Sequence, residues 1–393
     1  MPTLAAPALR ELLLLTNGPG ELLTWVPPVL AALQNSGLRV ELYLLQDQFS
    51  SGTEILGAQG LEVAALGGRR EFLARAAGGK SGARGQVLLL GGAARDALIL
   101  SRRLGYPAYA YSFHGRLWNP GFTKLLVDSP ATRAEALQRG ADPERVLVVG
   151  NLVVDALEAA KKQESIPADI LLLPGSRPFY AQYLFGFLLR AAEELARVHP
   201  ELRFAWLKSR LIPDEAIESI VSGEKSLSFG GTTGRLLGDR VISAGGLEVS
   251  IIPDHARYAA MTGAQQAWTI PGTNTLELAL AGLPSLVLLP LHRAELLPLE
   301  GVAHWLSLIP ILGPWAKRRV IAYLEPRAGL LALPNQRLGQ MVFPELRGTF
   351  TPFEVAQKAQ ELLLPERSAE VRKLLAGLPR EPGAQRLAEV ILS

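Results

Sequence analysis

Short, wholly apolar runs alternate along this chain with longer segments of mixed polarity. Leu12–Thr16, Val40–Leu45, Val87–Leu90, Ala108–Tyr111, Leu125–Val127 and Val146–Val149 read as strands. They lack the polar alternation of half-exposed strands, which is the mark of parallel strands covered on both faces. Stretches between them, such as Val29–Gln34 and Arg95–Leu104, carry helical spacing. A βα rhythm of this kind predicts a doubly wound parallel sheet. Residues 156–168 interrupt it, being charged and without a strand pattern, and read as a helix end followed by a linker. The rhythm then restarts with Ile170–Leu173, a helix over Ala181–His199, and Phe204–Leu207, and continues through Val249–Ile252, Ala267–Ile270 and Leu286–Leu289. The expected organisation is α/β, with a Rossmann-like domain over 1–155, a linker over 156–168 and a second Rossmann-like domain over 169–352. Helices follow over 353–393, with the first domain as one surface for them to pack back on. A ligand belongs in the cleft between two such domains, at the carboxyl ends of the strands.

Composition sharpens this picture. A chain of 393 residues fits two or three domains at roughly 150 residues each. Hydrophobic residues make up 48% and charged ones 20%, with mean hydropathy +0.19, so the chain is not disordered. Such apolarity means either a large core or a surface that meets lipid or a partner. A membrane span is not expected. Asn17–Glu21 break the first apolar run, which also lacks the positive start of a signal peptide. His292, Arg293, Glu295, Glu300 and several prolines divide residues 284–315 into pieces too short to cross ~30 Å of hydrocarbon. The chain therefore reads as cytoplasmic, soluble or peripheral on a membrane. Its 40 basic and 37 acidic residues leave a net charge of +3, too balanced for a nucleic-acid partner, although a pI near 9.1 permits a local basic patch. The absence of cysteine excludes a disulfide scaffold, a thiolate metal site and a cysteine nucleophile, and five histidines argue against a His-rich metal centre.

Three strand-to-turn segments carry candidate chemistry. In the first, Leu12–Thr16 runs into Asn17-Gly18-Pro19-Gly20-Glu21. Gly18 and Gly20 allow close backbone approach to a ligand, and Glu21 projects from the turn; the plain alternative is a βα turn with a solvated Glu. In the second, Leu171–Leu173 leads to Pro174-Gly175-Ser176-Arg177. Gly175 and Ser176 offer N–H groups and a hydroxyl, and Arg177 a forked cation, a combination suited to a diphosphate. In the third, Ala267–Ile270 leads through Pro271-Gly272-Thr273-Asn274-Thr275 into a helix carrying Glu277. The turn supplies hydroxyl, amide and helix-terminal donors for phosphate, while a carboxylate suits ribose hydroxyls. Two such turns in one half describe a nucleoside-diphosphate site. Neither the dinucleotide fingerprint nor the Walker motif is present, so a sugar donor with a diphosphate leaving group is the better reading.

These residues resemble the lipid-A-disaccharide synthases. The likeness lies in Leu173-Pro-Gly-Ser-Arg177, Pro271-Gly-Thr-Asn-Thr-Leu-Glu277, Leu333-Pro-Asn335 with Val342-Phe-Pro-Glu345, and Val149-Gly-Asn-Leu-Val-Val-Asp155. It runs through nearly the whole chain in order and spacing, more specifically in the C-terminal half. The resemblance implies a GT-B fold and an inverting glycosyltransferase. Such an enzyme transfers an acylated glucosamine from UDP to an acylated glucosamine 1-phosphate, with no metal and no other cofactor. It further implies that Arg177 and Gly272–Thr275 hold the UDP diphosphate, that Glu277 takes the ribose and that Asn335 lines the donor site. The partners implied are a UDP-sugar, a lipid acceptor and the inner face of the cytoplasmic membrane; a homodimer stays open.

The N-terminal half departs from the family. Its usual Gly-Glu-x-Ser-Gly-Asp turn is replaced by Asn17-Gly-Pro-Gly-Glu21, and its later Asp-rich stretch by Gly91-Gly92-Ala-Ala-Arg95-Asp96. The general base is therefore open among Glu21, Asp96 and His114, with Glu21 preferred for its place at the first strand end. A divergent branch that glycosylates another lipid fits this pattern; a UDP-sugar epimerase and a non-catalytic sugar-nucleotide-binding protein are the alternatives. Residues 302–315, which contain Trp305 and Trp315, precede Lys317, Arg318 and Arg319 and read as a bilayer-interface segment or a buried connection. Phe179, Tyr180, Tyr183, Phe185 and Phe187 read as mostly core.

Overall fold

The computed structural model describes residues 10–45, 53–79, 84–161, 164–292 and 329–393. It divides into two compact units, Met1–Ala159 with Pro379–Ser393, and Ala160–Leu378. The segment with Trp305, Trp315 and the basic cluster lies outside the described residues.

The first unit is built on a seven-stranded parallel sheet. Its strands are β1 (Arg10–Thr16), β2 (Arg39–Leu44), β3 (Ala65–Gly67), β4 (Arg84–Leu90), β5 (Ala108–Ser112), β6 (Lys124–Val127) and β7 (Val146–Val148), in the order β3-β2-β1-β4-β5-β6-β7. Leu12, Leu13, Leu14 and Leu15 are all 0% exposed, as a central parallel strand covered on both faces requires. Each such leucine contributes about 1.5–3 kcal/mol on burial. The sheet grows outward in both directions from the β1/β4 pair, where Leu15 stands beside Leu89. That pair is the topological switch point, where strand-end turns diverge and leave a crevice.

The second unit carries an eight-stranded sheet. Its strands are β8 (Ile170–Leu173), β9 (Phe204–Lys208), β10 (Gly234–Leu237), β11 (Arg240–Ser243), β12 (Glu248–Pro253), β13 (Gln266–Thr269), β14 (Ser285–Pro290) and β15 (Glu345–Gly348). Their order is β10-β11-β12-β9-β8-β13-β14-β15. Six strands are parallel; β10 and β11 form an antiparallel hairpin on the β12 edge. The switch point is the β8/β13 pair, with Leu173 beside Thr269. Trp206, Trp268, Phe185 and Phe187 are 0% exposed and fill the core between this sheet and the Pro178–Val198 helix.

Both units are Rossmann-like, and the chain has the GT-B fold. The C-terminal helices divide between them. Pro352–Leu363 and Pro365–Leu375 belong to the second unit, and only Ala384–Leu392 joins the first. Its start is tied down by Asp155, whose Oδ2 accepts from the backbone N–H of Gly383 (2.7 Å) and Ala384 (3.1 Å). Among the described residues, no helix is long and apolar enough to cross a membrane.

Candidate functional site

In the second unit the two predicted phosphate turns leave neighbouring strands at the switch point. Pro174–Arg177 follows β8 and Ile270–Thr273 follows β13, and the two strands pair directly. The turns touch, because a Cβ added to Gly175 would stand 3.0 Å from Ile270 Cδ1. Gly175 has φ +107°, a conformation that side chains with a Cβ rarely adopt, so glycine is required here twice over. Arg177 is the N-cap residue of the Pro178–Val198 helix, half-buried at its positive end. Burial pushes the Tyr180 phenol, one turn on, up to about 12, against the opposing charge of Arg177.

The Gly272–Thr275 turn is closed by its own side chains. Thr275 Oγ1 donates to Gly272 O at 2.7 Å and accepts from Leu333 N at 3.1 Å. The Asn274 amide donates to Thr269 Oγ1. Thr273 and Asn274 remain half-buried beside the exposed Gly272.

Glu277 lies beneath this turn. Its side chain is 2% exposed, and Oε2 stands 2.6 Å from Arg257 Nη2. Arg257 Nη1 also reaches Asp254 Oδ1 at 3.2 Å, and Asp254 Oδ2 accepts from Arg210 Nε at 3.1 Å. These groups come from the carboxyl ends of β9, β12 and β13. Burial pushes the Glu277 carboxyl above its ordinary value, and Arg257 opposes the shift. Burial also works against the Arg257 charge, but Glu277 and Asp254 outweigh it and hold the guanidinium above its usual range.

Asn335 corrects an expectation. It does not line a ligand surface in this structure: it is 0% exposed and its amide is fully used inside the unit. Nδ2 donates to Phe343 O and Glu345 Oε1, both at 2.8 Å, while Oδ1 accepts from Val342 N and Phe343 N, also at 2.8 Å. Glu345 in turn accepts from the Leu331 and Ala332 amides and from Arg347. The Leu-Pro-Asn and Val-Phe-Pro-Glu motifs thus form one clamp that fixes the 329–335 segment against β15.

In the first unit, three strand ends carry the remaining candidates. The Asn17–Glu21 turn follows β1, Gly91-Gly92 follows the adjacent β4, and His114 follows β5, next in order. Gly18 caps the Pro19–Thr24 helix, and Gly20 and Glu21 lie in its first turn. The Glu21 side chain occupies the space a Cβ would need at Gly18, and a Cβ on Gly91 (φ +80°) would approach Glu21 Cγ to 2.5 Å. Asn17 lies in the same way against Gly92. The two glycines that replace the family's acidic stretch therefore make room for Glu21 and Asn17, a relation that sequence spacing alone did not reveal. His114 is half-buried, its backbone fixed by two 3.0 Å hydrogen bonds with Ser112 Oγ. Trp25, Tyr111 and Phe113 pack edge to face close by, with Trp25 4.7 Å from Phe113 and 5.2 Å from Tyr111.

Asp96 also corrects an expectation. Its side chain is 7% exposed and bridges two helices, with Oδ2 3.3 Å from Arg69 Nη1 and Oδ1 3.6 Å from Arg95 Nε. The aromatic run after Arg177 splits: Phe185 and Phe187 are core, whereas Phe179 is 48% exposed and contacts Tyr180 and Tyr183 edge to face.

No family model matches the chain. It is 26% identical over 246 residues to lipid-A-disaccharide synthases of Anaeromyxobacter sp. (strain K) and Anaeromyxobacter dehalogenans. The match covers 60% of this chain and 52% of theirs, so the chain spans about half the length of the curated relatives it matches. Among solved structures it is similar to UDP-GlcNAc 2-epimerase from Neisseria meningitidis (12% identity, TM-score 0.55, covering 97% of this chain and 98% of that one). It is also similar to Acinetobacter baumannii MurG (15% identity, TM-score 0.52, covering 98% and 99%). By sequence the chain is similar to lipid-A-disaccharide synthases over part of their length, and by fold it shares the GT-B architecture of these solved structures.

Proposed function

We propose that this chain is an inverting glycosyltransferase. In this reading it moves an (acyl)glucosamine-type sugar from a UDP donor to a lipid or acylated-sugar acceptor and releases UDP. The observation that carries the reading is that the Gly175–Arg177 and Gly272–Thr275 turns follow the directly paired strands β8 and β13 at the switch point. Backbone N–H groups, hydroxyls and one guanidinium converge there where a nucleotide diphosphate would seat. Arg177 and the turn donors offset the charge that grows on the diphosphate as the anomeric C–O bond breaks. Glu277 serves the ribose. In the first unit a base takes the proton of the acceptor hydroxyl, whose oxygen forms the new bond to the anomeric carbon as UDP departs. Glu21 is the first choice for that base and His114 the second. A lipid acceptor brings the enzyme to a membrane surface, and the exposed Phe179 beside the donor turn would suit such a surface.

Titration calorimetry with UDP tests the donor site. Charge-assisted hydrogen bonds to a phosphate are strong, so Arg177→Ala is expected to weaken UDP binding roughly ten- to a hundredfold. Unchanged affinity would remove Arg177 from the site. Mass spectrometry of products from UDP-GlcNAc incubated with a bacterial lipid extract tests the reaction. A hexosamine added to a lipid supports transfer; an epimerised sugar nucleotide with no lipid product overturns it.

A further inference from the structure

Two helices of the first unit begin with an arginine each. Arg69 opens the Arg69–Ala77 helix after β3, and Arg95 lies in the first turn of the Ala94–Leu104 helix after β4. Both helix starts stand at the carboxyl ends of strands, the face on which the β1/β4 crevice opens. The two guanidinium groups meet at one carboxylate. Asp96, with its side chain 7% exposed, has Oδ2 3.3 Å from Arg69 Nη1 and Oδ1 3.6 Å from Arg95 Nε. The second contact is too long for a hydrogen bond, and Asp96 Oδ1 accepts none among the described residues. The arginines themselves stay open to solvent, Arg69 at 47% and Arg95 at 73%. A guanidinium carries five N–H donors. Among the described residues Arg69 uses one of them, on Asp96, and Arg95 uses none in a hydrogen bond. An exposed ion pair contributes at most about 1 kcal/mol, so stability does not account for Arg95. What the arrangement achieves is to bring two forked cations to one place with most of their donors unused. The Phe72 ring, 5.5 Å from the Arg69 guanidinium carbon, braces one of them. A phosphate monoester matches such a pair, because its several oxygens accept from two forks at once. Glu21 packs against Gly91 and Asn17 against Gly92, four and three residues before Arg95. The two cations therefore share a strand end with the preferred base.

We propose that Arg69 and Arg95 bind a phosphoryl group of the acceptor, with Asp96 as the positioning residue that holds the two guanidinium groups together. The proposal rests on the transferase reading above. It narrows the acceptor from any lipid or acylated sugar to one that carries a phosphate monoester. It also gives this chain two phosphate sites with separate tasks: the acceptor's in the first unit, on Arg69 and Arg95, and the donor's in the second, on Arg177 and Gly272–Thr275. Arg95 and Asp96 belong to the Gly91–Asp96 segment that departs from the lipid-A-disaccharide synthases, so the site is a property of this chain's own residues.

The test is a ligand-observed NMR titration of the full chain, saturated with UDP so that the donor turns are occupied. It compares glucosamine 1-phosphate with glucosamine. The wild type is expected to bind the phosphate ester roughly ten- to a hundredfold more tightly, the effect of charge-assisted hydrogen bonds from two arginines. Arg95→Ala and Arg69→Gln are each expected to reduce that preference several-fold, with glucosamine and UDP bound as before. Arg95→Lys is expected to keep part of it, because a point charge replaces the fork. Asp96→Asn separates anchoring from net charge. It removes a negative charge, so simple attraction would strengthen the preference for the ester, whereas loss of the anchor weakens it; an increase overturns the role of Asp96. If the wild type binds UDP but does not prefer the ester, or if both arginine variants keep the full preference, this inference fails and the transferase reading stands. Co-sedimentation with phosphatidylcholine vesicles containing phosphatidic acid distinguishes a lipid headgroup from the acceptor. Arg95-dependent binding to those vesicles without a preference for glucosamine 1-phosphate overturns the acceptor assignment. If the wild type does not bind UDP, the transferase reading itself is lost.

Discussion

Glu21 shows how a single side chain is placed by residues that carry no side chain at all. Gly18 lies beneath it and Gly91 beside it, and both positions lack room for a Cβ because the glutamate fills that space. A general base contributes about 10²–10⁴-fold to a transfer reaction, so Glu21→Gln is expected to lower kcat by at least about a hundredfold. Calorimetry should show UDP affinity unchanged, because the donor turns belong to the other unit. Full turnover by this variant would pass the role to His114. Of the three acidic or basic candidates in this half, the sequence placed Glu21 and His114 correctly at strand ends. It gave no sign that Asp96 is tied to Arg69, because that pair joins residues of separate helices whose packing has no local signature.

Elements were legible where burial is two-sided. The central strands of both sheets carry unbroken apolar runs, and those runs exist because both faces are covered. Of the strands not foreseen, β3, β10 and β15 lie at sheet edges, and β11 is the inner strand of the hairpin that β10 ends. Leu236 and Leu237 of β10 are 37% and 55% exposed, so no apolar pattern marks that strand. The Leu333-Pro-Asn335 and Val342–Glu345 motifs were visible as motifs, yet their purpose depends on hydrogen bonds across 10 or more residues, as between Asn335 and Glu345. Glu345 gives this clamp a pH dependence. Burial works to raise its carboxyl, but the Ala332 amide, Arg347, Asn335 and the Leu331 amide outweigh burial and hold it below the ordinary glutamate value of 4.5. The folded value is the depressed one. Its stabilisation is therefore present above about 4.5 and is lost as pH falls from there through the folded value. Thermal melts should show the second unit weakening across that acidic window. Glu345→Gln should flatten the dependence and cost about 3 kcal/mol at neutral pH, since Arg347 is left without its counter-charge. A melt with the same acid slope as the wild type would contradict this account.

At the scale of the whole molecule, the chain leaves the first unit near Ala159 and returns at Pro379. The returning Ala384–Leu392 helix buries Ala384, Leu387, Ala388 and Ile391. Removing residues 379–393 is expected to lower the stability of the first unit alone, and hydrogen exchange should show lost protection in β1–β7 while β8–β15 keep theirs. Asp155→Ala, which removes the acceptor for the Gly383 and Ala384 amides, should have the same direction at about 1 kcal/mol. Equal loss of protection in both units would refute this assignment of the last helix.

The sequence by itself determined the two parallel sheets, the strand ends that carry Glu21, Arg177 and Gly272–Thr275, and the absence of thiol chemistry. All of these are written in local pattern and composition. Strand order, which makes β1/β4 and β8/β13 the switch points, was decided only by the fold, because pairing of distant strands leaves no trace in local hydropathy. The same holds for the fate of the polar side chains. Glu277, Asn335 and Asp96 look alike in sequence, as polar residues near strand-to-helix turns. Each is buried against a partner, Arg257, Glu345 or Arg69, that only the packing of the sheets and helices brings alongside.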